Sequence, residues 1–310
     1  AVIGAVLSGQ GGFIEAVRKL SELPSDVPVT FGQQGAFASF FGTDPLNLLG
    51  VIILTSLGTW GLPQMVHKFY AIKSEKAIKT GTIVSTFFAV IVSGGCYFLG
   101  GFGRLFDAPE LYKADGSMMY DAIIPAMLST LPDILIGIVI ILVLSASMST
   151  LSSLVLTSAS TLTLDFIKGN IVKDMDDKKQ LIYIRVLIVF FIVVSVVLAL
   201  NPPTFIAQLM GISWGALAGA FLAPFLYGLY WKGVTRAGVW ASFICGVGIT
   251  VSNMYFKFIA SPINAGAAAM IVGLIVTPAV SLLTPKINSS LVNKIFQCYD
   301  NTAKVSSKEY

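Results

Sequence analysis

The chain is 310 residues long, 55% hydrophobic and 12% charged, with a mean hydropathy of +0.82. Soluble domains carry about 25% charged residues, so an ordinary water-soluble globule is excluded and the expected class is an all-α polytopic membrane protein. The net charge of +4 is modest and calls for no nucleic-acid partner, and Cys96, Cys245 and Cys298 have neither metal-ligand spacing nor a disulfide framework.

A helix needs about 20 apolar residues to cross the hydrocarbon core. The opening "AVIGAVLSGQGG" reads as the end of a span already under way, over residues 1–9, so a truncated N-terminus is expected. In the next loop, 10–44, "GGFIEAVRKLSEL" predicts a short surface helix. Charge-free windows follow at Pro45–Val66 (22 residues), Thr80–Gly103 (24), Ile134–Leu164 (31), Val186–Trp231 (46), Ala237–Phe256 (20) and Phe258–Pro285 (28). "NPP" at Asn201–Pro203 divides the fourth, since proline interrupts a helix. The prediction is one transmembrane domain over 1–310 with seven full spans, near 46–66, 80–103, 134–164, 186–200, 204–231, 237–256 and 264–285, and a tail at 286–310. Loops 67–79, 165–185, 232–236 and the tail hold 15 Lys and Arg, against 5 in 10–44, 104–133 and at Lys257. Basic loops stay inside, which puts the C-terminus in the cytoplasm of a plasma-membrane protein. His67, the single histidine, falls at the cytoplasmic end of a span.

Three stretches carry candidate chemistry. "LGTWGLPQMVHKFYA" packs Gly58, Gly61 and Pro63 into six residues of a span. Such a break is tolerated where protein or a water-lined cavity meets the freed backbone groups. Thr59, Trp60 and Gln64 beside it are candidates for holding a small organic solute, and a plain proline kink is the alternative. In "SASMSTLSSLVLTSASTLT", 11 of 19 residues carry a hydroxyl, and Ala146, Ser149, Thr150, Ser153, Thr157, Ser160 and Thr161 fall on one helical face. Close packing of small residues explains such a stripe; coordination of an alkali cation by neutral oxygens is the functional alternative. Proton-coupled carriers generally keep a titratable group in the membrane, and these spans have none, which favours sodium. In "GISWGALAGAFLAPFLYGLYW", Gly211, Gly215, Ala218, Gly219 and Ala223 form a close-packing face, while Gln208 and Ser213 are candidates to face a cavity.

With these residues the chain resembles the sodium:solute symporter family, most closely its bacterial sodium/proline branch. "GLPQMVHKFYAIKSEKAIKTG" resembles the family's broken helix and basic loop. "SASMSTLSSLVLTSASTLTLDFIKG" resembles its sodium-site helix, with the pattern Ala-x-x-Ser-Thr, and "GISWGALAGAFLAPFLYGLYWKGVTRAG" its late core helix. The resemblance implies a thirteen-span protein of the leucine-transporter-type inverted-repeat fold. On that map residues 1–9 belong to span six, and the second repeat plus the C-terminal spans are present. It implies a sodium site at Ala146 (carbonyl), Ser149 and Thr150 (hydroxyls), completed by an earlier core helix, and a solute pocket at the break. Sugar-carrying relatives have Tyr-Trp before the break and a Lys on the next span. Thr59-Trp60 and Ala89 stand here, which disfavours a sugar.

The expected function is sodium-coupled symport of a small organic solute, such as proline, another amino acid or pantothenate. Sodium serves as the coupling ion, there is no cofactor, and the partners are solute, Na⁺ and the lipid bilayer. No enzyme is expected, since no nucleophile–base pair is evident. The rivals are a sensor or receptor on a transporter scaffold, a channel, and a fragment without function of its own.

Overall fold

The computed structural model describes residues 2–24, 35–69, 72–106, 109–113, 116 and 118–306. Their order is α1 (Val2–Gly9), α2 (Phe13–Glu22), α3 (Pro45–Gly58), α4 (Pro63–Phe69), α5 (Glu75–Gly101), α6 (Ile123–Leu128), α7 (Asp133–Thr161), α8 (Asp177–Leu200), α9 (Ile206–Tyr230), α10 (Arg236–Phe256), α11 (Pro262–Leu283) and α12 (Ser289–Ser306). Among the described residues the chain is almost wholly helical. Six segments are long and apolar enough to cross a membrane: Lys76–Leu105, Asp133–Ile171, Asp177–Leu200, Ile206–Tyr230, Arg236–Phe256 and Pro262–Leu283. The remaining predicted span, near 46–66, is divided into α3 and α4.

Two compact units form, one from Ala1–Pro24 with Ser74–Phe205 and one from Ser25–Lys73 with Ile206–Tyr310. In the first, the apolar windows of α5, α7 and α8 bury nothing inside the protein. Exposed runs such as Ile138, Ile141 and Leu142 suit a hydrocarbon surrounding, because every backbone group is satisfied within its own helix. The predicted surface helix is α2. It buries Ala16 and Leu20 and stacks Phe13 on Phe98 of α5, with ring centroids 5.8 Å apart. Arg18 Nη2 donates to Glu15 Oε1 at 2.6 Å, and this bond holds the Glu15 carboxyl below its ordinary range.

The second unit has a packed centre. Leu54, Ala218, Leu222, Ile263 and Met270 form its core, contributed by α3, α9 and α11. The small face of α9 presses against α10 and α11, as the Gly211–Ala223 spacing predicts. A Cβ at Gly215 would lie 2.5 Å from Gly266 Cα, so glycine is needed for this approach. Thr235 caps α10, its Oγ1 accepting from Gly238 N at 3.2 Å, and its own N–H donates to Ser281 Oγ of α11. Pro278 inside α11 cannot donate to the carbonyl of Leu274 one turn back. The hydroxyl of Tyr227 on α9 donates to that oxygen at 2.9 Å. Tyr227→Phe should leave the carbonyl unsatisfied and cost about 1–2 kcal/mol, seen as a lower melting temperature in detergent with unchanged helical content.

Candidate functional site

The hydroxyl-rich stretch lies in α7, which continues without interruption from Asp133 to Thr161. Its β-branched and leucine-rich first half, Ile134–Leu144, is stable as a helix in lipid because backbone hydrogen bonds must close locally there. Ser149 Oγ donates to the Ala146 carbonyl at 2.9 Å, so two of the three predicted sodium ligands touch. With its proton committed to that bond, the Ser149 oxygen still offers lone pairs outward. Thr150 is exposed on the same face. Farther along, Thr157 Oγ1 donates to Ser153 O at 2.8 Å and Ser160 Oγ to Thr157 O at 3.1 Å.

From Ile140 to Leu154 every residue of α7 is exposed, so packing selects no face there, and burial begins only beyond it. Val155 and Ala159 are its buried residues, and at about 100° per residue Val155 lies roughly half a turn around from Ala146. Ala146, Ser149, Thr150 and Ser153 are exposed together with the rest of their stretch, whereas Thr157 and Ser160 of the same stripe are half-buried. Beyond Thr161 the helix widens into a π-helical segment, Leu162–Ile171, where the hydroxyl of Thr163 is buried without a partner. The charge-free window that ends at Leu164 gave no signal of this change of winding.

In the other unit, α3 gives way to a tight turn at Thr59–Gly61, Leu62 is extended (φ −84°, ψ 119°), and Pro63 starts α4. Proline is favoured in the first helical turn, where no intrahelical donor is required. Gly61 presses on α9, where a Cβ would come within 2.7 Å of Ala218 Cα. This contact carries the break into the packed centre. Beside it is a cavity of about 620 Å³, walled by Thr59, Trp60, Met65 and Val66 on one side and by Phe225, Leu226, Leu229 and Tyr230 of α9 on the other. Among the described residues no charged side chain lines it. Thr59 Oγ1 donates to Ser56 O at 3.3 Å, and the Trp60 ring is 58% exposed, presenting a face for stacking.

Two of the five predicted solute residues, Thr59 and Trp60, thus meet in one cavity. Gln64 lies one residue before its wall, half-buried. Gln208, half-buried, and Ser213, exposed, are near the opposite end of α9. Tyr230 is 17 residues past Ser213, about 25 Å along the helix axis, so one small solute cannot touch both ends at once. Phe225 and Tyr230 were not among the sequence candidates, because their apolar setting reads as ordinary span. The side chain of His67 lies outside the described residues.

Comparison with known proteins then identifies the group. A family model for the sodium:solute symporter family matches residues 1–246. The chain belongs to this family. The sodium/pantothenate symporter of Haemophilus influenzae is 29% identical over 240 residues, covering 77% of this chain and 47% of that protein. The sodium/proline symporter of Staphylococcus aureus is 28% identical over 253 residues, covering 78% and 49%. The chain spans about half the length of the curated relatives it matches. Both α7 and the break at Thr59–Gly61 fall inside the matched region of the symporter family.

Proposed function

We propose that the chain supplies a sodium site and part of the solute pocket of a sodium-coupled symporter in the plasma membrane, with its lysine-rich loops and C-terminus in the cytoplasm. The observation that carries this is the clustering of neutral oxygens on one exposed stripe of α7, where Ser149 Oγ sits 2.9 Å from the Ala146 carbonyl and Thr150 is the next residue. Ala146, Ser149 and Thr150 provide three neutral oxygens. Because α7 is unbroken here, a dehydrated sodium ion needs its remaining ligands from another helix, the arrangement of an inverted-repeat transporter built on the leucine-transporter plan.

The solute is small and organic: zwitterionic proline, another amino acid, or a pantothenate-like carboxylate whose charge stays toward solvent. Its apolar part stacks on Trp60 in the cavity at the break, where Thr59 and Gln64 offer hydrogen bonds. Gln208 and Ser213 act on the approach at the far end of α9. Sodium and solute drive the cycle only through unequal affinity for its conformations. Each sodium entering down a 100 mV potential contributes about 2.3 kcal/mol.

In proteoliposomes holding a transporter with this sequence, replacing external sodium by choline should abolish concentrative uptake of labelled proline or pantothenate. Accumulation that persists in choline overturns the proposal. Trp60→Ala should raise the solute concentration at half-maximal uptake about five- to tenfold, the worth of one stacking partner. Trp60→Phe should recover most of that loss.

A further inference from the structure

The last helix, α12, has a face that nothing in its unit covers. Val292 and Phe296 tuck against the body, half-buried. Leu291, Ile295 and Tyr299 remain 51%, 62% and 47% exposed. At about 100° per residue these three fall on one flank of the helix, contiguous with the buried pair. The polar side, with Ser290, Asn293 and Gln297, points elsewhere. A helix of this kind is too polar to cross a bilayer and too apolar on one flank to stand in water.

Two further observations decide what covers that flank. The first is reach. Only Thr284–Asn288 separates α11, a membrane-crossing segment by length and composition, from α12, and five residues with their flanking bonds extend at most about 20 Å. The helix is therefore tethered at the mouth of a span, within reach of the bilayer surface. The second is charge. Asp300 is the one carboxylate residue of α12 and of the chain from 206 to 306, whereas Lys232, Arg236, Lys286, Lys294 and Lys304 all belong to this end of the unit. Lys232 leans onto α12, its Nζ 5.5 Å above the Phe296 ring and 3.4 Å from Asn293 Oδ1. Cations that outnumber carboxylates beside an apolar flank complement a layer of anionic phospholipid headgroups.

We propose that α12 lies on the anionic bilayer surface beside α11. Leu291, Ile295 and Tyr299 enter the headgroup–acyl boundary, and Lys286 and Lys294 face lipid phosphates. This docking does not depend on the transport proposal. It would fix the loop between α9 and α10, through Lys232, to the membrane surface.

The test uses the 310-residue chain with Cys96, Cys245 and Cys298 changed to serine, so that one introduced cysteine carries an environment-sensitive fluorophore. Ile295→Cys reports the apolar flank and Gln297→Cys the polar side. Each is reconstituted in phosphatidylcholine vesicles with or without phosphatidylglycerol, and quenched either by a headgroup-proximal spin-labelled lipid or by aqueous iodide. The expected result is strong lipid quenching at 295, iodide quenching at 297, and weakened lipid quenching at 295 when phosphatidylglycerol is omitted. Lys294→Glu should lower the surface-bound to unbound ratio at least about fivefold, the worth of one lysine near an anionic surface. Iodide reaching 295 as readily as 297 overturns the proposal, since the helix then stands in solution. Shielding of 295 from both quenchers overturns it in favour of a protein partner or a second copy. Lipid quenching indifferent to phosphatidylglycerol and to Lys294→Glu overturns the assignment of anionic headgroups.

Discussion

Thr150→Ala raises the sodium concentration needed for half-maximal uptake by about ten- to a hundredfold, the effect of losing one charge-assisted contact worth about 1.5–3 kcal/mol. The side chain is exposed in a stretch of α7 that buries no residue, so alanine removes an oxygen without emptying a packed site, and folding stability should hold. Thr150→Ser keeps the oxygen and should recover most of the affinity. Ser149→Ala should act in the same direction. It also removes the bond to the Ala146 carbonyl, which frees that oxygen and offsets part of the loss, so its effect should be the smaller of the two. Ser152 supplies the control. Its hydroxyl donates to Met148 O at 2.7 Å, and its position is about 240° around the helix from Ala146. Ser152→Ala should leave sodium dependence unchanged. Uptake measured against sodium concentration at saturating solute separates the three, and an unaltered sodium requirement in Thr150→Ala removes α7 from the ion site.

The helices were legible because hydrocarbon excludes charge, so windows free of Asp, Glu, Lys and Arg mark what lipid can hold. Their ends were less so. α5 begins at Glu75, five residues before its window, because Ser74 caps it by accepting from Ala77 N at 3.3 Å, and Lys76 and Lys79 are tolerated in its first two turns, outside the apolar stretch. Gly58, Gly61 and Pro63 announced the break, since proline and close-packed glycine have local meaning. The opposite wall of the cavity had no such signal. Phe225 and Tyr230 lie more than 160 residues downstream of Trp60, and hydropathy cannot pair residues across that distance. Nor could hydropathy reveal that Tyr227 satisfies the Leu274 carbonyl left free by Pro278. Gln208 and Ser213 were joined to Trp60 by polarity alone, which carries no information on their place along α9.

Gly246→Val should prevent α9, α10 and α11 from assembling, whereas Gly248→Val two residues away should be tolerated. A Cβ at Gly246 would run into the carbonyl carbon of Gly219 and come within 2.5 Å of Ala220 N, both backbone atoms of α9 that no rotamer change can move. Overpacking of this kind costs about 1–3 kcal/mol where side chains can adjust, and more where helix axes must separate. Even Gly246→Ala should show a clear loss. Nothing lies within 4 Å of a Cβ built at Gly248, and Gly248→Ala should gain up to about 1 kcal/mol from the lower helical cost of alanine. Thermal unfolding in detergent of the four variants distinguishes contact from propensity. If the two alanine variants shifted by equal amounts in the same direction, backbone freedom alone would be the cause, and the close approach of α9 to α10 would not hold the unit together. A loss confined to Gly246 would mean that the contact on which the pocket wall at Phe225 and Tyr230 depends is made by the absence of a methyl group. Lipid tails solvate leucine as well as a neighbouring helix does, so close backbone contact, more than apolar burial, is what draws such helices together.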